Sequence, residues 1–239
     1  MLATALLFSL VPVVAAALSG GAAAVRAPGP RVTSGLQHFA AGVVFAAAAI
    51  ELLPGVLNES PWVAVAGFGA GIAVMFAFRA ASERAEEHRR RRGQAGVPLG
   101  LVAAIAVDFF IDGVILGAGF AAGGHTGVLL TIALAVEYLF VGLSLSATLA
   151  GSVPRQVVAA APVLLAVLTV LGTVLGVVVL AGVSASVLAG VLAFGAVAFM
   201  YLATEELLVQ AHVRGETSLG SAGFFVGFLI YLVLHELIH

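Results

Sequence analysis

Charge is what this chain has least of. Only 9% of its 239 residues are Asp, Glu, Lys or Arg, while 62% are hydrophobic, and the mean hydropathy is +1.19. Soluble globular domains carry about a quarter charged residues, so that class is excluded. Cysteine is absent, which removes disulfides and any Cys-based zinc site and leaves the redox compartment unread. Lysine is absent as well: all ten basic residues are Arg. No polar stretch is long enough to fold into a separate soluble domain. Phosphate loops, nucleophile motifs and nucleic-acid modules are missing too, so nucleic acid is not an expected partner.

What the chain does contain is apolar sequence in runs long enough to cross about 30 Å of hydrocarbon at about 1.5 Å per residue. Breaks marked by Gly, Pro, Ser or charge divide it into spans at Leu2–Val25, Leu36–Leu57, Pro61–Phe78, Pro98–Ala121, Thr126–Ala150, Val157–Ala181, Ala185–Gln210 and Gly220–Ile238. The expected fold class is all-α: a polytopic membrane protein with eight transmembrane helices in one bundle, residues 1–239 forming a single domain with the lipid bilayer as its partner. The first segment has no basic leader region and reads as a span rather than a cleaved signal ending near Ala15-Ala16-Ala17.

The arginines set the expected topology. Arg26 and Arg31, then Arg79, Arg84 and Arg89 to Arg92, then Arg155, then Arg214 follow spans 1, 3, 5 and 7, and none follows spans 2, 4 or 6. Basic residues are retained on the cytoplasmic side, which puts both termini outside and the 79–97 connection in the cytoplasm, in a plasma or bacterial inner membrane. That connection reads as a solvated loop whose Arg run anchors it, with regulatory metal or anionic lipid contact through His88 or the arginines as the alternative. Ala49-Ile50-Glu51-Leu52-Leu53 followed by Ala66-Gly67-Phe68 and Gly71 is matched by Thr204-Glu205-Glu206-Leu207-Leu208 followed by Ala222-Gly223-Phe224 and Gly227. An odd number of spans between the copies makes them face opposite ways, a 3+2+3 inverted repeat of the kind that secondary transporters use.

Seven carboxylates, Glu51, Asp108, Asp112, Glu137, Glu205, Glu206 and Glu236, fall within spans, and no Arg or Lys lies in a span to neutralise them. An ionised carboxylate at the bilayer centre costs about 2.5 kcal/mol or more, so these groups must share protons, face water or hold cations. Asp108 and Asp112 are spaced i, i+4 on one face of span 4, and Glu137 lies at similar depth on span 5. Together they form an oxygen-rich cage suited to a divalent cation. Glu51 with His235 and Glu236 would form an entrance, and Glu205 with Glu206 an exit.

Phe39-Ala40-Ala41-Gly42-Val43-Val44-Phe45 with Glu51-Leu52-Leu53-Pro54, then Asp108-Phe109-Phe110-Ile111-Asp112-Gly113, then Tyr201 through Leu208 resemble the second, fourth and seventh spans of the ZIP family of divalent metal transporters. The resemblance covers nearly the whole chain and implies a secondary transporter working by alternating access, with zinc, manganese, iron or another divalent ion as substrate. The departures are pointed. Asp108 stands for the fourth-span His and Phe109 for the Asn, while in the fifth span Glu137 stands for the His, Tyr138 for the second residue, Phe140 for the Pro and Val141 for the Glu. One site built on Asp108, Asp112 and Glu137 is what these residues allow, not two metals side by side, and carboxylates in place of imidazoles shift preference from zinc towards manganese, iron(II), magnesium or calcium.

Three other readings compete. The fold is retained for protons or another small substrate in the first. In the second, the literal H-E-x-x-H at His235-Glu236-Leu237-Ile238-His239 makes an intramembrane metalloenzyme, though the motif ends where helices fray. A non-transporting sensor or scaffold is the third. His38 and His212 read as interfacial residues rather than ligands, and His125 as a loop residue. The small-xxx-small pairs Gly67/Gly71 and Gly223/Gly227 read as packing within one bundle, and a homodimer is not argued.

Overall fold

The structure is a computed structural model in which residues 1–25, 29–91, 99–213 and 218–238 are described. Arg26, Arg92, Arg214 and His239 therefore lie outside the described residues. Among the described residues eight helices are long and apolar enough to cross a membrane, and no strand occurs. The chain is an integral membrane protein. The helices are α1 (Leu2–Val25), α2 (Pro30–Ala47, continuing to Leu57), α3 (Pro61–Arg91), α4 (Leu99–Ala122), α5 (Gly124–Leu149), α6 (Arg155–Leu180), α7 (Ala185–Tyr201, continuing to Val213) and α8 (Ser218–Ile238).

Packing sorts them. α4 lies along α6, α6 along α1 and α1 along α5, while α2 lies along α8 and α3 along α7. Lesser contacts join α4 to α5, α2 to α5 and α4 to α7. The most enclosed helices are α2, α5 and α7, and α8 and α3 are the least. Leu7, Leu164 and Phe225 stand exposed on the outer surface, as large apolar side chains do where lipid is the solvent. Gly67 and Gly71 press on α7, and Gly223 and Gly227 on α2, so both small-residue faces are used inside the bundle.

Three helices depart from the sequence reading. α3 does not stop at Phe78 but runs unbroken through Arg91, so residues 79–91 of the expected loop are helical. Hydropathy marks the end of the apolar run, not of the helix: beyond it Arg79 pairs with Glu83 and Arg91 with Glu87 at i, i+4, and Ala80, Ala81 and Ala85 favour helix. α2 and α7 are each widened by a π-helical turn, Ala48–Leu52 and Leu202–Leu207, closed by Leu53 N–H to Ala48 O and by Leu208 N–H to Ala203 O. In α2 the cause is Pro54, which lacks the N–H that would bond the Ile50 carbonyl. In α7 the Thr204 hydroxyl donates to Met200 O at 2.8 Å and competes with the backbone ladder. Such turns gather at functional sites, and these hold Glu51, Glu205 and Glu206.

Candidate cation site

Gly113 makes the site's geometry possible. A Cβ there would collide with the Thr169 carbonyl and sit 2.9 Å from the Gly172 Cα, so only glycine lets α4 and α6 approach this closely. The approach brings Thr169 of α6 beneath Asp112 of α4 and Tyr138 of α5. The Tyr138 hydroxyl donates to Asp112 Oδ2 at 3.2 Å and lies 2.5 Å from Thr169 Oγ1. Tyr138 has one proton, so with Asp112 as its acceptor the Thr169 hydroxyl must be the donor to Tyr138. The Tyr138 ring stacks on Phe109, centroids 3.7 Å apart and 13° from parallel, and both rings are wholly buried.

Asp108, Asp112 and Glu137 come together, each offering an oxygen within 4.8 Å of the others. Asp112 and Glu137 are buried and Asp108 is half-buried. Neither carboxylate oxygen of Glu137 has a hydrogen-bond donor, although the residue is completely enclosed. A buried carboxylate in that state is expensive unless a proton or a cation compensates it.

A cavity of about 550 Å³ reaches the cluster from the arginine-bearing side, past Arg79 and Glu83 at its mouth and Gln210 and Ser144 on its wall, to Asp108. Glu206 and Glu205 also line it. Glu206 is exposed to it, whereas Glu205 accepts from Arg79 at 3.0 Å. Arg79 lies just beyond the expected end of the third span, and the continuation of α3 carries it to α7, so a basic residue from outside the spans serves one of the in-span carboxylates. At the opposite end Glu51 and His235 meet, Nδ1 to Oε1 at 2.7 Å, with the Glu51 side chain 2% exposed. Glu236 is exposed and is not part of that pair.

No family model matches the chain, and no curated protein matches it. What the site can do chemically therefore rests on its own groups. It offers hard oxygen donors, and among the described residues no imidazole joins this cluster. Tyr138 and Thr169 are the residues that sequence reasoning missed as participants. Tyr138 was legible only as a departure from the fifth-span pattern, and Thr169 is one hydroxyl in an apolar helix with no signal of its own. His38, read as interfacial, is buried, because α2 is among the most enclosed helices. His125 lies in the first turn of α5 rather than in a loop.

Proposed function

We propose that this chain is a ZIP-like secondary transporter that moves a divalent metal cation across the membrane by alternating access, with Asp108, Asp112 and Glu137 as the transport site. The observation that carries the reading is Glu137: a fully enclosed carboxylate, with no donor on either oxygen, facing two more carboxylates. A cation held among the three removes the cost of burying them, and leaving through the cavity restores it. The oxygen-only set shifts preference from zinc towards manganese, iron(II), magnesium or calcium, while zinc still accepts oxygen ligands.

The helix pairing supports inverted halves. Exchanging α1 with α6, α2 with α7, α3 with α8 and α4 with α5 turns the α4–α6 contact into α5–α1, α2–α8 into α7–α3, and α2–α5 into α7–α4, while α1–α6 and α4–α5 map onto themselves. The two π-helical turns exchange as well. With the arginine-bearing side cytoplasmic and both termini outside, the cavity is an inward-open path, Glu206 borders the release route, and Glu51 with His235 sits at the receiving end. The driving force is the ion gradient or proton exchange on the same carboxylates, since no nucleotide site is present in the sequence.

The test is uptake of Mn²⁺ or Zn²⁺ by proteoliposomes holding the purified protein. Uptake abolished in Asp108→Ala and in Glu137→Ala, but kept in Glu236→Ala, is the expected result. Wild-type protein that passes no divalent ion overturns the reading. Proton flux through the same carboxylates in that case would favour the proton-handling alternative.

A further inference from the structure

A second polar cluster lies at the arginine-bearing ends of α2 and α7 and shares no residue with the three carboxylates. The Ser34 hydroxyl donates to Ala211 O at 2.8 Å, and Gln37 Nε2 donates to Gln210 Oε1 at 3.0 Å, so the two helices are tied together there. Between these ties His38 Nδ1 lies 2.9 Å from Ser34 O. A carbonyl only accepts, so Nδ1 carries the proton and Nε2 carries a lone pair. That Nε2 is enclosed and has no hydrogen-bond partner, in a residue 1% exposed. The ring of His212 stands beside it, centroids 5.2 Å apart at 60°, and His212 Nδ1 likewise faces a carbonyl of its own helix, Leu208 O.

A ring nitrogen anchored on a backbone carbonyl with the other left as a lone pair is how metal-ligating histidines are held. An enclosed imidazole lone pair with nothing to bond is costly, and a neighbouring imidazole is no remedy unless something bridges the two. His212 is exposed, so an ion arriving from the arginine-bearing side meets it first and His38 behind it. We propose that His38 and His212 form an imidazole site for a borderline divalent cation such as Zn²⁺, Ni²⁺ or Cu²⁺, with water completing the coordination sphere. It differs from the carboxylate cage in ligand chemistry, nitrogen against oxygen, and an ion held in it bridges α2 to α7. The site stands whether or not the carboxylates carry an ion.

The probe is Cu²⁺ added to the purified full-length protein in detergent micelles. Equivalents retained after dialysis are counted, and electron paramagnetic resonance reads the nitrogens on each. Wild-type protein is expected to retain one equivalent with two imidazole nitrogens that is lost in His212→Ala and in His38→Gln, and kept in the double variant Asp108→Asn, Glu137→Gln. His212 is exposed, so its variant tests the site even if His38→Gln does not fold. Retention of every equivalent in His212→Ala overturns the proposal. So does a wild-type spectrum without nitrogen coupling, or loss of the signal in the carboxylate variant.

Discussion

Replacing Glu137 by Gln keeps the side chain's volume and removes one of three charges, and the two states of the site respond with opposite signs. The three oxygens lie within 4.8 Å of one another. At an effective dielectric constant of about 20, two ionised carboxylates at that separation repel by roughly 3.5 kcal/mol. Glu137 belongs to two of the three pairs, so in the fully ionised, ion-free site it would take part in about 7 kcal/mol of repulsion or more, which the substitution removes and which the wild type avoids only by holding protons. It also supplies an NH₂ donor where none exists. The ion-free variant is expected to melt higher than wild type, by about 2–4 °C per kcal/mol gained for a chain of this size. With the cation present the order reverses. Taking one charged partner from a buried set costs about 3–5 kcal/mol, a loss of affinity of roughly 10²- to 10⁴-fold. Thermal unfolding followed by circular dichroism, in chelator and then in Mn²⁺ or Zn²⁺, reads both effects. A Glu137→Gln protein that melts lower than wild type in chelator and keeps its metal-induced shift would refute the reasoning.

Three further outcomes follow from the same geometry. Gly113→Ala places a carbon 2.8 Å from the Thr169 carbonyl carbon, against an ordinary contact of about 3.5 Å. The Thr169 carbonyl oxygen is closer still, so α4 and α6 must part by more than about 0.7 Å, and the melting temperature should fall by at least the equivalent of about 1–3 kcal/mol. Tyr138→Phe deletes the hydroxyl that donates to Asp112 and contacts Thr169; a loss of about 1–3 kcal/mol in unfolding free energy, with slower uptake in proteoliposomes, is expected. Because the chain has no native cysteine, Ser144→Cys on the cavity wall should react with a polar maleimide applied from the arginine-bearing side, whereas Ala118→Cys, at a position 1% exposed, should not. Equal labelling of the two would mean that the cavity does not admit water.

The eight helices were legible because apolar run length is a one-dimensional property, and most span edges fall within a few residues of the helices. The end of α3 was not, since the residues that continue it are polar and held by i, i+4 pairs that hydropathy does not register. At the site, the i, i+4 spacing of Asp108 and Asp112 and the matching depth of Glu137 were enough to bring three carboxylates together. Depth also put Glu51 and His235 at one end of the bundle, but it could not tell that His235 turns towards Glu51 while Glu236, one residue on, is exposed. Thr169 and the Arg79–Glu205 pair depend on helix rotation and crossing, which no single-helix pattern carries. The π-helical turns were likewise hidden, although in hindsight Pro54 in one and Thr204 in the other supply local causes.

The length of α3 makes it a pointer. Its 31 residues form a rod of about 46 Å, of which the portion beyond Phe78 projects roughly 20 Å past the apolar run. If the rod pivots about its Pro61 end by some 10°, its tip sweeps about 8 Å, a displacement far larger than any at the carboxylates themselves. A spin label on exposed Ala85, paired with one on the short connection between α5 and α6, would turn the rocking that the proposed transport cycle requires into a distance to be compared with and without added Mn²⁺.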